Sequence, residues 1–240
     1  MTSIKTNAIV LSSVKYGEAD LIVTCFTKEV GLVSFFMRGI RKSKRGKFKS
    51  SFFQSLSCLD LDFMHRDQKN LQFLKDAKVA IPYKSLHQNI YKSCIAMFLA
   101  EVLKACIREE ERNLELYLFI ENALIALDEA EKFSNFHLLF LVELTRFLGF
   151  YPEMNHQNLA YFNMIEGRFE AEDSSIYTVQ NSNVDILERI LNQQKTDLFQ
   201  NLGLNQKKRQ DFLDFIIYYY ELHLQSFYKP KSKEILEQLF

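Results

Sequence analysis

The sequence predicts an α+β protein: an N-terminal five-stranded OB-fold barrel followed by a mainly α-helical domain that carries a small β-hairpin. Three observations lead there. Hydrophobicity runs with a period of two as far as Pro82 and with a helical period after it. Charge divides at the same place: residues 1–82 hold 14 Lys and Arg against 7 Asp and Glu, and the remainder holds 16 against 23, within a chain of zero formal net charge. Turn residues fall between the apolar runs, at Gly17 in "KYGEAD" and Gly31 in "KEVG". The expected domains are therefore 1–82, a nucleic-acid-binding barrel, and 83–240, a helical domain.

Five strands are expected, at about Ala8–Val14, Asp20–Lys28, Gly31–Gly39, Phe52–Met64 and Leu71–Ala80. Val33, Phe35 and Met37 share one parity, as do Leu59, Leu61 and Phe63, which alternate with Asp60, Asp62 and Met64. Leu71, Phe73, Ala77 and Val79 also share a parity, with Lys75 as the exception. Short strands over roughly 80 residues suggest a small barrel, and five strands fit the OB-fold, with a split sheet as the alternative.

Beyond Pro82, Leu86, Ile90, Cys94, Met97, Phe98, Val102 and Ala105 form one helical stripe, and Leu116, Ile120, Ala123, Leu124 and Leu127 form a second. "FHLLFLVELTRFLGFYP" is apolar on nearly all sides and predicts a buried helix stopped at Gly149 and Pro152. "LAYFNMIEGRFEAED" predicts the hairpin around Glu166–Gly167. Further helices are expected near Val184–Gln194, Asn205–Phe227 and, with Ser232 as N-cap, in "SKEILEQLF".

Several chemistries find no footing. There is no phosphate loop, no nucleophile elbow and no H-E-x-x-H. The five His are scattered, and Cys25, Cys58, Cys94 and Cys106 stand too far apart for a zinc or redox pair, so they read as buried thiols. No metal or other cofactor and no enzymatic activity are expected. No apolar run is long enough to span a membrane and the N-terminus reads as a strand, which points to the cytoplasm.

The exception to this blandness is "MRGIRKSKRGKFKSSFF", with Arg38, Arg41, Lys42, Lys44, Arg45, Lys47 and Lys49 and no acidic residue. Four readings fit it: a solvated loop, a polybasic membrane contact, a protein-docking loop, or a phosphate-backbone contact. Location favours the last. Arg38 continues the outward parity of Leu32, Ser34 and Phe36, so the charge starts on the barrel wall, where OB barrels bind single strands. Phe36, Phe48, Phe52 and Phe53 are near enough to offer stacking, and the two Phe that end the stretch read as core. Lys207, Lys208 and Arg209 open a long helix, where cations oppose the helix dipole; they read either as a secondary anion contact or as a frayed exposed turn.

These residues resemble the RecO family of bacterial recombination mediators. The features are the "AIVL" strand, "YGEAD" at the first turn, "FTKEVG" at the second, "RGIRK" after the third strand, "RFLGFYP" in the helical part and "KPKSKEILEQLF" at the end. The resemblance implies a non-enzymatic DNA repair factor that binds single- and double-stranded DNA and anneals complementary strands. With RecR it would help RecA displace the single-strand-binding protein SSB, in the nucleoid-associated cytoplasm. The DNA-binding role carries over best to Arg38, Arg41 and Lys42. The family's helical domain docks the acidic SSB tail, for which Arg146 in "LTRFLGF" is the candidate cation. Many members hold a four-cysteine zinc module after the segment matched here by "LGFYP"; no Cys follows Cys106, so the hairpin is expected to be held by packing alone. The alternative function is a non-repair RNA-binding OB-fold protein.

Overall fold

The computed structural model describes residues 2–42, 48–66, 69–108, 112–192 and 197–240. Five strands close into a barrel in the order β1-β2-β3-β5-β4: β1 (Thr2–Tyr16), β2 (Asp20–Thr27), β3 (Gly31–Met37), β4 (Cys58–His65) and β5 (Leu71–Val79). A single turn of 3-10 helix, Ser50–Phe53, precedes β4. All neighbours are antiparallel except β3 and β5, which pair in parallel at Ser34↔Leu71 and Phe35↔Gln72 only. This is the OB-fold arrangement. Its core holds the inward residues read from the pattern, Val33, Phe35, Met37, Leu59, Leu61 and Phe63, with Ala8, Val10, Val23 and Cys25 facing them.

Two bulges alter the reading of the walls. In β1 the register shifts between Val10 and Ser12. Val10 N–H donates to Ser57 O (3.0 Å) and Leu56 N–H donates to Val10 O (2.7 Å). Past Val10 the strand leaves β4, pairs with β2 alone and reverses its parity, so Val14 stands opposite Ile22 on the outside. In β5 the shift falls opposite Asp62/Phe63, where Lys75 is the extra residue. Gln72 and Ala77 therefore point inward, while Leu71, Phe73 and Val79 are exposed. The single parity expected for Leu71, Phe73, Ala77 and Val79 is thus corrected: Lys75 marks a change of face.

By compactness the chain forms two units, Met1–Glu129 with Pro230–Ser232, and Ala130–Lys229 with Lys233–Phe240. Strand gives way to helix after Val79, and the first unit continues through α1 (Ile90–Cys106) and α2 (Leu114–Glu129). Cys94, Phe98, Val102 and Ala105 are buried as expected, whereas Ile90 is exposed. Asp128, near the end of α2, ties the segment that leaves the barrel. Its carboxylate accepts from the backbone N–H groups of Lys84 (2.8 Å), Ser85 (2.7 Å) and Leu86 (2.7 Å). Lys92, only 4% exposed, donates to Ser85 Oγ (2.8 Å) and to the carbonyl of Asp128 (2.9 Å). Burial alone would raise the Asp128 carboxyl, but the three N–H donors and the Ser85 hydroxyl outweigh it and hold it below the usual carboxylate value.

In the second unit α3 (Phe136–Leu148) is buried on nearly all sides and ends on Gly149 in the left-handed region, φ 84°. Tyr220 of α5 (Gln206–His223) donates to Leu141 O at 2.7 Å, and Tyr219 donates to Phe150 O at 2.9 Å. The expected hairpin, β6 (Tyr161–Asn163) with β7 (Arg168–Glu170), gains a third strand, β8 (Thr178–Val179), on the β6 edge. Two residues are too few to show a period in the sequence. Phe162 anchors this sheet on Phe169 and Tyr219, with ring centroids 5.1 and 5.9 Å away. A Cβ on Gly167 would lie 2.6 Å from the Tyr219 hydroxyl, so packing sets its turn. The remaining helices are α4 (Ser182–Leu191) and α6 (Lys233–Leu239); Ser232, the expected cap of α6, donates its N–H to Glu101 Oε2 at 3.1 Å. Cys25, Cys58 and Cys94 are buried and Cys106 is partly buried; desolvation pushes the Cys58 thiol up to about 12. Among the described residues, no helix is long and apolar enough to cross a membrane, and no group of three or more His, Cys, Asp or Glu is placed to hold a metal ion.

Asp128→Ala should destabilise the protein by about 2 kcal/mol, since a charged acceptor and three donors lose each other. A carboxyl with a lowered native pKa contributes stability above its unfolded pKa of about 3.9 and loses it as pH falls through the native value. Acid unfolding followed by circular dichroism should therefore show a shallower low-pH loss of stability in Asp128→Ala than in the parent; equal slopes would exclude this role.

Candidate nucleic-acid interface

The basic segment begins where β3 ends. Gly39, at φ 68°, turns the chain, and Ile40 inserts into the barrel core at 7% exposure. The turn is fastened to the β1–β2 connection. Gly39 N–H donates to Asp20 Oδ1 at 2.7 Å, and Arg41 N–H donates to Ala19 O at 3.0 Å. The segments "YGEAD" and "RGIRK" are thus two halves of one structure. With its backbone fixed and Ile40 inside, the loop leaves Arg38, Arg41 and Lys42 exposed. Arg41 Nη1 donates to Glu18 O (3.2 Å), and Lys42 Nζ pairs with Glu18 Oε2 at 2.6 Å. That pair is solvent-exposed on both sides and is worth only about 0–1 kcal/mol.

Beside this loop the outward faces of β1, β2 and β3 form a wall. Val14, Ile22 and Phe36 lie in one cross-strand row. The Tyr16 ring meets Phe36 edge to face, centroids 5.8 Å apart. Next to this row, Phe73 and Leu71 of β5 complete a groove of about 590 Å³ lined by Tyr16, Ile22, Phe36, Lys69, Asn70, Leu71 and Phe73. Its cationic rim is set by the buried Gln72. The Gln72 side chain accepts from Arg66 N–H (3.0 Å) and donates to the carbonyls of Arg66 (3.0 Å) and Lys69 (2.6 Å). A smaller polar cleft of about 290 Å³ shares Lys69 and Asn70 with the groove and adds Arg66 and Arg112, the latter 3.7 Å from Glu29.

The structure therefore brings together Arg38, Arg41 and Lys42. Lys49 is exposed beside the 3-10 turn, and Lys44, Arg45 and Lys47 lie outside the described residues. Of the four Phe near enough for stacking, Phe36 lines the groove, Phe53 is core, and Phe48 and Phe52 pack partly buried against the core. Tyr16, Phe73 and Lys69 escape sequence reasoning. Only the broken alternation at Lys75 announces Phe73; the bulge that turns Tyr16 outward leaves no comparable mark.

The three cations at the start of α5 do not converge. Lys207 pairs with Asp211 at 2.9 Å, one turn on. Arg209 donates to the carbonyls of Leu204 (2.6 Å) and Phe240 (2.9 Å), so it fastens backbone segments and is not presented to an anion; Lys207, despite its pairing, and Lys208 are exposed. Arg146 sits half-exposed on α3, its Nε 2.8 Å from Glu143 Oε1 and its guanidinium carbon 3.8 Å from the Tyr151 ring centre.

Comparison with known proteins gives a consistent result. The family model "recombination protein O N terminal" matches residues 1–83, and "recombination protein O C terminal" matches residues 87–234. The DNA repair protein RecO of Christiangramia forsetii is 45% identical over 237 residues, covering 99% of both chains. That of Flavobacterium johnsoniae is 41% identical with the same coverage, and that of Bacteroides fragilis is 34% identical over 242 residues, covering 98% of both.

Asp20→Ala should free the loop from the first turn. The Gly39 amide should exchange with solvent at least about tenfold faster, as expected for loss of a bond to a charged acceptor, whereas Asp20→Asn should retain much of the protection. Unchanged exchange in Asp20→Ala would mean that Ile40 alone holds the turn.

Proposed function

The chain belongs to the RecO family of DNA repair proteins, and from that premise we propose that it is a non-enzymatic mediator that binds single- and double-stranded DNA, anneals complementary strands and, with RecR, assists RecA loading on SSB-coated DNA. One observation carries the DNA-binding part: the loop whose backbone is fixed by Asp20 and Ile40 holds three exposed cations at the edge of the outward wall. A preformed cation cluster binds phosphates without first ordering a chain. Such contacts read no sequence, as suits a protein that must act wherever DNA is damaged.

Annealing requires no general base or nucleophile. Two phosphate chains repel each other, and a basic surface that neutralises both lowers that repulsion. The remainder of the chain beyond Pro82, net −7 by composition, leaves surface for protein partners. Arg146 is the proposed contact for the acidic SSB tail. Tyr151 holds the guanidinium flat, and Glu143 already neutralises it, so a tail carboxylate would compete with Glu143 for the same donors.

Replacing Arg38, Arg41 and Lys42 together by Ala should weaken DNA binding and flatten the plot of log K against log salt by about 2 for single strands, at roughly 0.7 per phosphate contact. The melting temperature should stay nearly constant because all three side chains are exposed. An unchanged slope would remove these residues from the interface, and a parent protein that binds RNA better than DNA and never anneals SSB-coated strands would overturn the repair reading. Arg146→Ala should weaken binding of an SSB tail peptide several-fold without changing affinity for naked DNA; a folded variant that binds the peptide normally would exclude that contact.

A further inference from the structure

The barrel's exposed large apolar side chains are concentrated on one wall. Among the described residues of its strands they are Val14, Tyr16, Leu71, Phe73 and Val79, and all but Val79 lie in or beside the groove next to the basic loop. Tyr16 is 57% exposed and Phe73 54%. The rings are not surplus core turned out by chance: the β1 bulge turns Tyr16 outward, and the β5 bulge does the same for Phe73. Both bulges would have to be absent for the wall to read as an ordinary solvated surface.

Charge says what covers it. The groove has Lys69 on one rim, and Phe36 on its floor is followed two residues later by Arg38. An apolar protein segment would leave those cations unmatched, whereas a nucleotide strand offers flat rings for the wall and phosphates for the rims. We infer that the Tyr16–Phe36–Phe73 groove takes unpaired bases of single-stranded DNA, stacked on Tyr16 and Phe73, with Lys69 and the Arg38 loop on the flanking phosphates. This rests on the DNA-binding reading above and adds a selectivity to it. A duplex buries its base faces in its own stack, so it can reach only the cations. Once two strands pair, their bases leave the rings, and the product is held by the phosphate contacts alone. The groove therefore favours the reactants of annealing over the duplex it yields.

The test uses the full chain and three probes: an oligothymidylate, an abasic backbone of equal length, and a duplex, each followed by fluorescence anisotropy. The parent should bind oligothymidylate more tightly than the abasic strand. Tyr16→Leu and Phe73→Leu keep apolar surface but remove the ring; each should lower oligothymidylate affinity by about 5-fold to 100-fold while abasic affinity changes by no more than about two-fold. Tyr16→Phe should restore parental affinity. Leu variants that bind oligothymidylate like the parent, or that lose affinity for all three probes alike, would overturn the stacking role, as would equal parental affinity for thymidylate and abasic strands. A parent that binds none of the probes would instead overturn the DNA-binding reading itself.

Discussion

The barrel depends on a narrow seam. β3 and β5 meet in only two residue pairs, and one of them contains Gln72. Its backbone helps close the sheet, and its buried side chain satisfies three polar groups of the β4–β5 turn. A buried amide with a missing partner would cost about 1–3 kcal/mol, so the backbone positions of Arg66 and Lys69 are tightly specified. The seam also shapes the outer surface. Closing β5 on β3 is what places Leu71 and Phe73 beside Phe36, and the bond from Gln72 to the Lys69 carbonyl is what places Lys69 at the rim of the same groove.

Positive charge in this neutral chain is managed by nearby carboxylates of different kinds. Asp20 faces inward to the loop and bonds a backbone N–H, so it shapes the loop without neutralising a side chain. Glu18 faces water and pairs with Lys42 at the surface, where the interaction is weak and readily exchanged for another anion. Arg209 shows the opposite use of a cation: two backbone carbonyls hold its guanidinium, and a basic sequence run proves to be part scaffold.

Much of this is legible in the sequence, for physical reasons that can be named. Val33, Phe35 and Met37, or Leu59, Leu61 and Phe63, alternate because one face of each strand is buried, and the "FHLLFLVELTRFL" helix declares itself because it is buried all round. Gly149 marks a helix end because its backbone needs a left-handed conformation. Exposed cations also announce themselves by number. The direction of the aromatic residues stays hidden. Tyr16 and Phe73 look like core residues by type, and one inserted residue in a strand reverses a face without changing composition. Lys92 is hidden in another way: its burial depends on Ser85 and the Asp128 carbonyl, partners 7 and 36 residues away.

The wall formed by β1, β4 and β5 carries a further consequence. There Asn7 donates to Asp60 at 2.6 Å, Ser3 donates to Asp62 at 3.3 Å, and Asp62 stands directly opposite Asp76, with Lys5 and Lys78 interleaved. β4 is separated from β3 by β5 on one side and by β2 and β1 on the other, so these carboxylates lie across the barrel from the Arg38 loop. With three carboxylates, Asp60, Asp62 and Asp76, against two lysines, this wall is slightly negative, and the described barrel carries a modest charge separation between it and the loop. If the loop is the DNA contact proposed above, the field of a polyanion exerts a torque before contact that turns the loop forward and the carboxylates away. Docking a specific patch ordinarily limits association to about 10⁵–10⁷ M⁻¹s⁻¹ because most collisions are misoriented. A molecule rotated into register during approach wastes fewer of them, and for such a molecule added salt slows association as well as weakening binding.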